Sequence, residues 1–583
     1  MRPLRLSSLA IAIVWFAAPQ LIATPPDPLR WIPTESTLVI KIEKPREFIE
    51  GVVKRDAYQS LRKFPQVREL LESTQVRRFL QIVSYMETEL GAPWPELIDK
   101  LAGGGIAIGT VIGAEPAPTV IVIQGTDEAA TTKAYELFLA GIRDESNRDG
   151  TKQELVKTTY RELPTVQLGK EVFLARVGTA IVFANKQAVF HAVFHAALDL
   201  ATSTEAKANR ILVTSTLPAA RKIAGKDPVA WAWLDFAKVK STPQGKDFFE
   251  ATRKDVLQTV VLGSSIDAAR RSDFLAFVLD QSPDGYAFRL RMPAKRAELD
   301  KAMAVHAPMN GEPGSRPLLQ PKGTIYSQSF YLDLGYLWKE RKVLFNPENL
   351  KDIEKGIADV DKVLPGTTFG NLLEMSGPYH RIVSVQTGEK LYAIEPGQRI
   401  PPTAYVGSMR DKEYGRTMDG VLRAAALLGS FQTGWKMSET MHDDVKIVTY
   451  RFPEKAEPKY DDPTKLRFNA APSFAIVGDH LIVGSTPGIV KLLIPELKKE
   501  SKADGSPVVW RATGYAAGGA ELLLANPEPT ITQTILTQGI GLAEAKKQVE
   551  DFAAWLRTAG QLNLSIDHAK NWYELKLDWA FGK

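Results

Sequence analysis

The sequence has no cysteine in 583 residues. That excludes a disulfide framework, a thiolate metal site, a lipid-attachment cysteine and every mechanism that needs a thiol. A chain of this length buries enough apolar surface to fold without cross-links. A dominant charge sign is missing too: 73 basic residues against 68 acidic ones leave a formal +5. Such a surface carries no strong field, and nucleic acid is not implied as a partner. Histidine is scarce, with seven in all. No Walker loop and no Gly-x-Ser-x-Gly elbow is present. Past the first 18 residues no apolar run is long enough to cross a bilayer.

What is present starts at the N-terminus. Arg2 and Arg5 form a basic region, Leu6 to Ala18 is almost wholly apolar, and Pro19, Ala23 and Pro25-Pro26 then end any helix. This is the layout of a secretory signal peptide. It predicts a signal segment over 1–24, cleaved between Ala18 and Thr24, and an extracytoplasmic chain in the periplasm, at the cell surface or secreted. Retention of the segment as an anchor is the alternative. The remainder has ordinary globular composition, 44% hydrophobic and 24% charged, in a length that calls for roughly two to four domains.

The chain also repeats itself. Leu174-Ala-Arg-Val-Gly178 with Ile181-Val-Phe183 matches Phe474-Ala-Ile-Val-Gly478 with Leu481-Ile-Val483. At the same spacing, Leu262-Gly-Ser-Ser-Ile-Asp267 matches Leu562-Asn-Leu-Ser-Ile-Asp567. Weaker pairs are Asp227-Pro-Val-Ala-Trp231 with Ser506-Pro-Val-Val-Trp510, Thr159-Tyr-Arg161 with Thr449-Tyr-Arg451, and Pro118-Thr-Val120 with Pro402-Thr-Ala404. Strand runs joined by tight turns alternate with helical periodicity in both halves. The pattern predicts an α+β fold in two related halves, 25–306 and 324–583. Each is expected to be a mostly antiparallel sheet with helices on one face. The Pro/Gly-rich stretch 307–323 reads as a linker between them. Within the first half, a last strand pair is expected over Leu262 to Asp280 and Tyr286 to Met292.

Candidate chemistry is sparse. His191 and His195 lie one helical turn apart, a spacing that suits two metal ligands, but no third ligand is identifiable and a helix face explains them equally. Gly103-Gly104-Gly105 precedes a strand, which fits a tight turn better than a phosphate cradle. Ser60-Leu-Arg-Lys63 matches Ser-x-x-Lys and Lys157-Thr-Thr159 faintly resembles its accompanying strand motif, but the companion Ser-Asp-Asn type motif is missing. Trp231 and Trp233 alternate with alanines, so one strand face is bulky and reads as core. Asp267 and Asp567 read as strand-end turn residues. No cofactor is expected.

The export signal, the Pro33-Thr-Glu-Ser-Thr37-Leu-Val-Ile opening and the Val-Gly-x-x-Ile-Val hairpin leading into a helix together resemble large extracytoplasmic bacterial proteins classed as a domain of unknown function. The resemblance implies location and architecture, with no catalytic residues to carry over. The function expected is a non-enzymatic binding or structural protein of the periplasm or cell surface, its partner an unknown protein or envelope ligand. The alternatives are a hydrolase acting on an envelope polymer and a carrier of an apolar ligand between sheet and helices.

Overall fold

The computed structural model describes residues 26–581, apart from 63, 114, 149–154, 170, 199–210, 251–254, 295–303, 309–311, 456–461, 502–504 and 569–570. The expected signal segment lies outside the described residues, as does Lys63.

Strands form where apolar residues alternate with polar ones or β-branched residues cluster. Among the described residues there are twenty, all in one antiparallel sheet. The first ten are β1 (Leu38–Ile42), β2 (Gly105–Thr110), β3 (Thr119–Gln124), β4 (Leu155–Tyr160), β5 (Leu163–Leu168), β6 (Val172–Val177), β7 (Ala180–Ala184), β8 (Ala230–Asp235), β9 (Phe274–Ser282) and β10 (Gly285–Met292). The next ten are β11 (Thr324–Tyr331), β12 (Ser376–Val385), β13 (Thr403–Met409), β14 (Lys436–His442), β15 (Val445–Arg451), β16 (Ser473–Val477), β17 (His480–Gly484), β18 (Trp510–Tyr515), β19 (Gln561–His568) and β20 (Tyr573–Ala580).

From one edge the spatial order is β4-β5-β6-β7-β3-β2-β1-β8-β9-β10. β10 pairs with β20 from Gly285↔Ala580 to Met292↔Tyr573. The order then continues β20-β19-β18-β11-β12-β13-β17-β16-β15-β14 to the far edge. Each strand has a counterpart ten strands later, at the same distance from the central β10–β20 pair. The β6–β7 and β16–β17 hairpins turn on Gly178 (φ 56°) and Gly478 (φ 59°), left-handed conformations that glycine adopts without steric cost.

One face of the sheet carries two closed cores. In the first, Val39, Ala107, Val120, Val182, Trp231, Trp233, Ala276 and Val278 meet Phe190, Val193 and Phe194 of the helix Gln187–Leu198 and Leu217 and Ala220 of Leu217–Ala224. In the second, Val383, Val406, Ile447, Ala475 and Ile482 meet Ile489, Val490, Leu493, Ile494 and Leu497 of Pro487–Lys499. That helix follows β17 as Gln187–Leu198 follows β7.

The α+β class and the antiparallel sheet hold, but the helices are not confined to one face. On the other side Phe138 of the helix Glu128–Arg148 meets Phe183 edge-on at 5.6 Å. Ala426 of Lys412–Thr433 packs there with Val448 and Phe474. Cover on this side is partial, and Ile121, Phe277, Phe288, Tyr405, Leu562 and Trp579 stay exposed.

Two of the repeated blocks do not coincide in space. Leu262–Asp267 lies inside the helix Val256–Arg271, whereas Leu562–Asp567 is in β19. The expected strand therefore starts only at Phe274. Val, Thr and Ile suggest a strand there, but Asp255 caps the segment through Gln258 N–H at 2.6 Å, and Arg270 and Arg271 suit a helix C-terminus. Thr159 and Tyr160 end β4 while Thr449 to Arg451 end β15, which is the counterpart of β5. The blocks before β8 and β18, and those opening β3 and β13, do occupy equivalent places.

The expected linker has little regular structure but is docked. Gly314 N–H donates to Ser506 O at 2.6 Å, Ser315 Oγ to Val508 O at 2.6 Å, and Tyr379 OH to Pro313 O at 3.0 Å. Ser315 and Leu319 are buried.

Candidate functional site

Strand residues point alternately to the two faces of a sheet. In β9, β10, β20 and β19 this places Leu275, Leu290, Met292, Tyr573, Leu575 and Ile566 together on the partly covered face. Above this floor lie three roof helices, Phe236–Ser241, Pro243–Glu250 and Val256–Arg271. Between floor and roof is a cavity of about 970 Å3. The first half supplies the roof and part of the floor, and β19 and β20 supply the rest.

The cavity exists because the third roof helix presents small side chains. Leu262, Ser265, Ile266 and Ala269 fall on one helical face, and the two small ones, Ser265 and Ala269, leave room above the floor, which Ser265 meets only through the long side chain of Tyr573. Phe248 and Phe249 of the second roof helix form a wall. Phe249 stands edge-on to Phe236 at 6.0 Å and to Phe248 at 5.1 Å. Lys240 Nζ lies over the Phe236 and Phe249 rings at 5.7 and 5.6 Å. It also donates to the carbonyls of Arg270 (2.5 Å) and Ser272 (2.6 Å), tying the first roof helix to the end of the third. Burial pushes the Lys240 pKa down, against the pull of Asp273.

Polar groups sit at two places. Inside, Ser265 Oγ of the roof and Tyr573 OH of the floor share a hydrogen bond at 2.6 Å, and burial raises the Tyr573 pKa. At the mouth are Thr37, Glu115, Lys238, Thr242 and Gln244, beside Ile112. Thr37 Oγ1 accepts Ile112 N–H at 2.7 Å, fixing the β2–β3 loop to the start of β1. Lys238 N–H donates to Asp235 Oδ1 at 3.1 Å, the cap of the first roof helix. Its Nζ donates to Thr34 O at 3.0 Å and Ser36 O at 3.3 Å, with Asp235 Oδ2 at 3.7 Å. Phe248 and Leu262 line the space yet are 55% and 46% exposed, so the cavity opens to solvent. Among the described residues Lys238, Glu115 and Tyr573 are the ionisable groups along it. Among the described residues that set holds no nucleophile with an adjacent base.

The sequence candidates lie elsewhere. His191 stacks on Tyr160, ring centroids 4.0 Å apart and nearly parallel. His195 is in the same helix, but its side chain is outside the described residues. Among the described residues no group of three or more His, Asp or Glu side chains could hold a metal. Ser60 lines a separate cleft of about 500 Å3 with Phe64, Arg68 and the Lys547–Asp551 pair of the helix Leu542–Thr558. Gly105 (φ 98°) opens β2, and a Cβ there would stand 2.9 Å from Ile42 O, so the glycines serve a tight turn into the sheet. Trp231 and Trp233 are buried, donating to Glu43 Oε1 at 2.8 Å and Thr216 Oγ1 at 3.0 Å. Asp267 is helical and pairs with Arg271 at 3.1 Å, so it is not a strand-end turn residue, whereas Asp567 is next to last in β19. The cavity residues carry no motif. The available signal was the run of small residues Gly263-Ser264-Ser265 and Ala268-Ala269 flanked by Leu262 and Ile266.

No family model matches the chain, and no curated protein matches it. Two solved structures are similar over 47% of this chain: crystal form III of TP0453 (6% identity, 83% of that chain, TM-score 0.23) and crystal form I of TP0453 (8% identity, 81% of that chain, TM-score 0.22). Likeness at that level is too slight to argue from.

Proposed function

We propose that this chain is an exported, non-enzymatic binding protein that carries an apolar ligand in the cavity beneath its three roof helices. The observation that carries the reading is an open space of about 970 Å3 lined mainly by apolar side chains, Leu, Ile, Met, Phe, Val and Ala. An aqueous cavity with such walls gains free energy when hydrocarbon replaces water, about 0.8 kcal/mol per methylene buried. Export rests on Arg2, Arg5 and the apolar run from Leu6 to Ala18. Two halves related by duplication are part of the same reading, supported by the recurring strand order. The ligand space would then have arisen where the last strands of the two halves meet.

The test is binding of a fluorescent long-chain probe to the purified protein, beside Ala269→Trp. The indole would project from the roof into the cavity and should abolish binding while leaving the fold intact by circular dichroism. For a homologous series of chains, affinity should rise about fourfold per added methylene until the space is filled. Unchanged binding in Ala269→Trp would sink the proposal.

A further inference from the structure

The lining of the cavity extends from the β2–β3 loop to β19, across the neighbours β1, β8, β9, β10 and β20. Six steps between strands, each about 4.8 Å, make a span of about 29 Å. A volume of about 970 Å3 drawn out over that span is a channel rather than a round pocket. Such a shape fits an extended hydrocarbon chain better than a compact ring system.

Polarity is graded along it. The β2–β3 end holds Thr37, Glu115, Lys238, Thr242 and Gln244, whereas the β19 end is apolar apart from the Ser265–Tyr573 hydroxyl pair. Among the described residues Lys238 is the one cation in the lining. Two of its three ammonium protons go to the uncharged carbonyl oxygens of Thr34 and Ser36. Asp235 Oδ2, at 3.7 Å, is beyond hydrogen-bond distance, and its other oxygen caps the helix. The Lys238 side chain is 42% exposed, so a ligand oxygen can reach the remaining proton. Glu115 is on the same rim and exposed.

Building on the reading of the cavity as an apolar-ligand site, the geometry points to a long-chain amphiphile with an oxyanion head. The tail lies along the channel towards Ile566 and Leu575, and the head sits at the mouth on Lys238. A carboxylate and a phosphate monoester or diester share the chemistry Lys238 recognises. Glu115 opposes either one weakly from the rim.

The experiment uses the full chain with three probes of matched chain: cis-parinaric acid, cis-parinaryl alcohol and a parinaroyl lysophospholipid. In the parent, the acid or the lysophospholipid should bind more tightly than the alcohol, and whichever leads identifies the head. Lys238→Met should weaken the oxyanion probes about tenfold, the scale of one hydrogen bond to a charged group, and leave the alcohol within about twofold. Lys238→Arg should keep the preference, and Glu115→Gln should tighten the oxyanion probes about twofold. Retained alcohol binding shows that the cavity is still folded. Equal loss of all three probes in Lys238→Met, or no loss of any, overturns the head assignment. Ala269→Trp separates the two claims, because a block there with no Lys238 effect leaves the apolar site standing and removes only the oxyanion.

Discussion

Arg381 and Glu500 form an ion pair at 2.6 Å with side chains 2% and 8% exposed. Burial pushes the guanidinium pKa down, and Glu500 opposes that shift. Removing one partner strands the other charge in a dry site, so Glu500→Gln should cost about 3–5 kcal/mol. The double variant Arg381→Met with Glu500→Leu should cost much less than the sum of the two single changes. Urea unfolding of the three proteins checks this. The two residues are 119 positions apart, and no local pattern links them, which is why the pair was invisible in the sequence. Trp231 and Trp233 were legible as core because alternation alone puts both on one face. Histidine brings a pH effect. His306 Nε2 meets Val260 O of the third roof helix at 2.5 Å, and His380 is held by Leu332 O and Tyr405 OH. Burial depresses both pKa values below the ordinary 6.5, although their hydrogen bonds to backbone act the other way. Below pH 6.5 the unfolded chain takes up protons that the native rings refuse. Stability is therefore full above about pH 6.5 and falls with pH below it, by at most about 1.4 kcal/mol per unit for each ring. His306→Gln should flatten that slope in urea titrations between pH 7.5 and 5, and an unaltered slope would count against this account.

Among the elements, the two hairpins on Gly178 and Gly478 were the most legible, because a left-handed turn between two β-branched runs leaves little choice of structure. A Cβ at either glycine would meet nothing within 4 Å. Substitution there tests backbone strain alone. Gly178→Val and Gly478→Val should each lower stability by about 1–2 kcal/mol, and by similar amounts, in thermal unfolding. Markedly unequal costs would argue against equivalent hairpins. The helix Val256–Arg271 was the least legible element. Its β-branched residues mimic a strand, and only the Asp255 cap and the terminal arginines gave the helix away. Because that helix is one of the three that make the roof, a strand reading there also hides the cavity, which depends on Ser265 and Ala269 facing β10 and β20 across space. The docking of 313–317 onto β12 and β18 was equally hidden, since proline-rich composition reports the absence of regular structure and not where the chain lies.

For the whole molecule, the eight residue pairs from Gly285↔Ala580 to Met292↔Tyr573 join everything before the 307–323 stretch to everything after it. Arg291 pairs with Glu574 across the seam, and the cavity walls draw on both sides of it. Calorimetry should therefore show one unfolding transition. Lys576→Pro, which deletes a ladder donor in β20, should split it in two; two transitions in the parent would refute the coupling. The same seam constrains how the chain is made. β20 follows every other described strand in sequence yet ends at the centre of the sheet. During synthesis, β9 and β10 emerge nearly 300 residues before their central partner. Until then β10 is a bare edge carrying Tyr286, Phe288 and Leu290, the kind of strand that recruits other chains. Arg291 on that same strand counters this during the wait: its charge repels a second copy of β10 and pairs with Glu574 once β20 arrives.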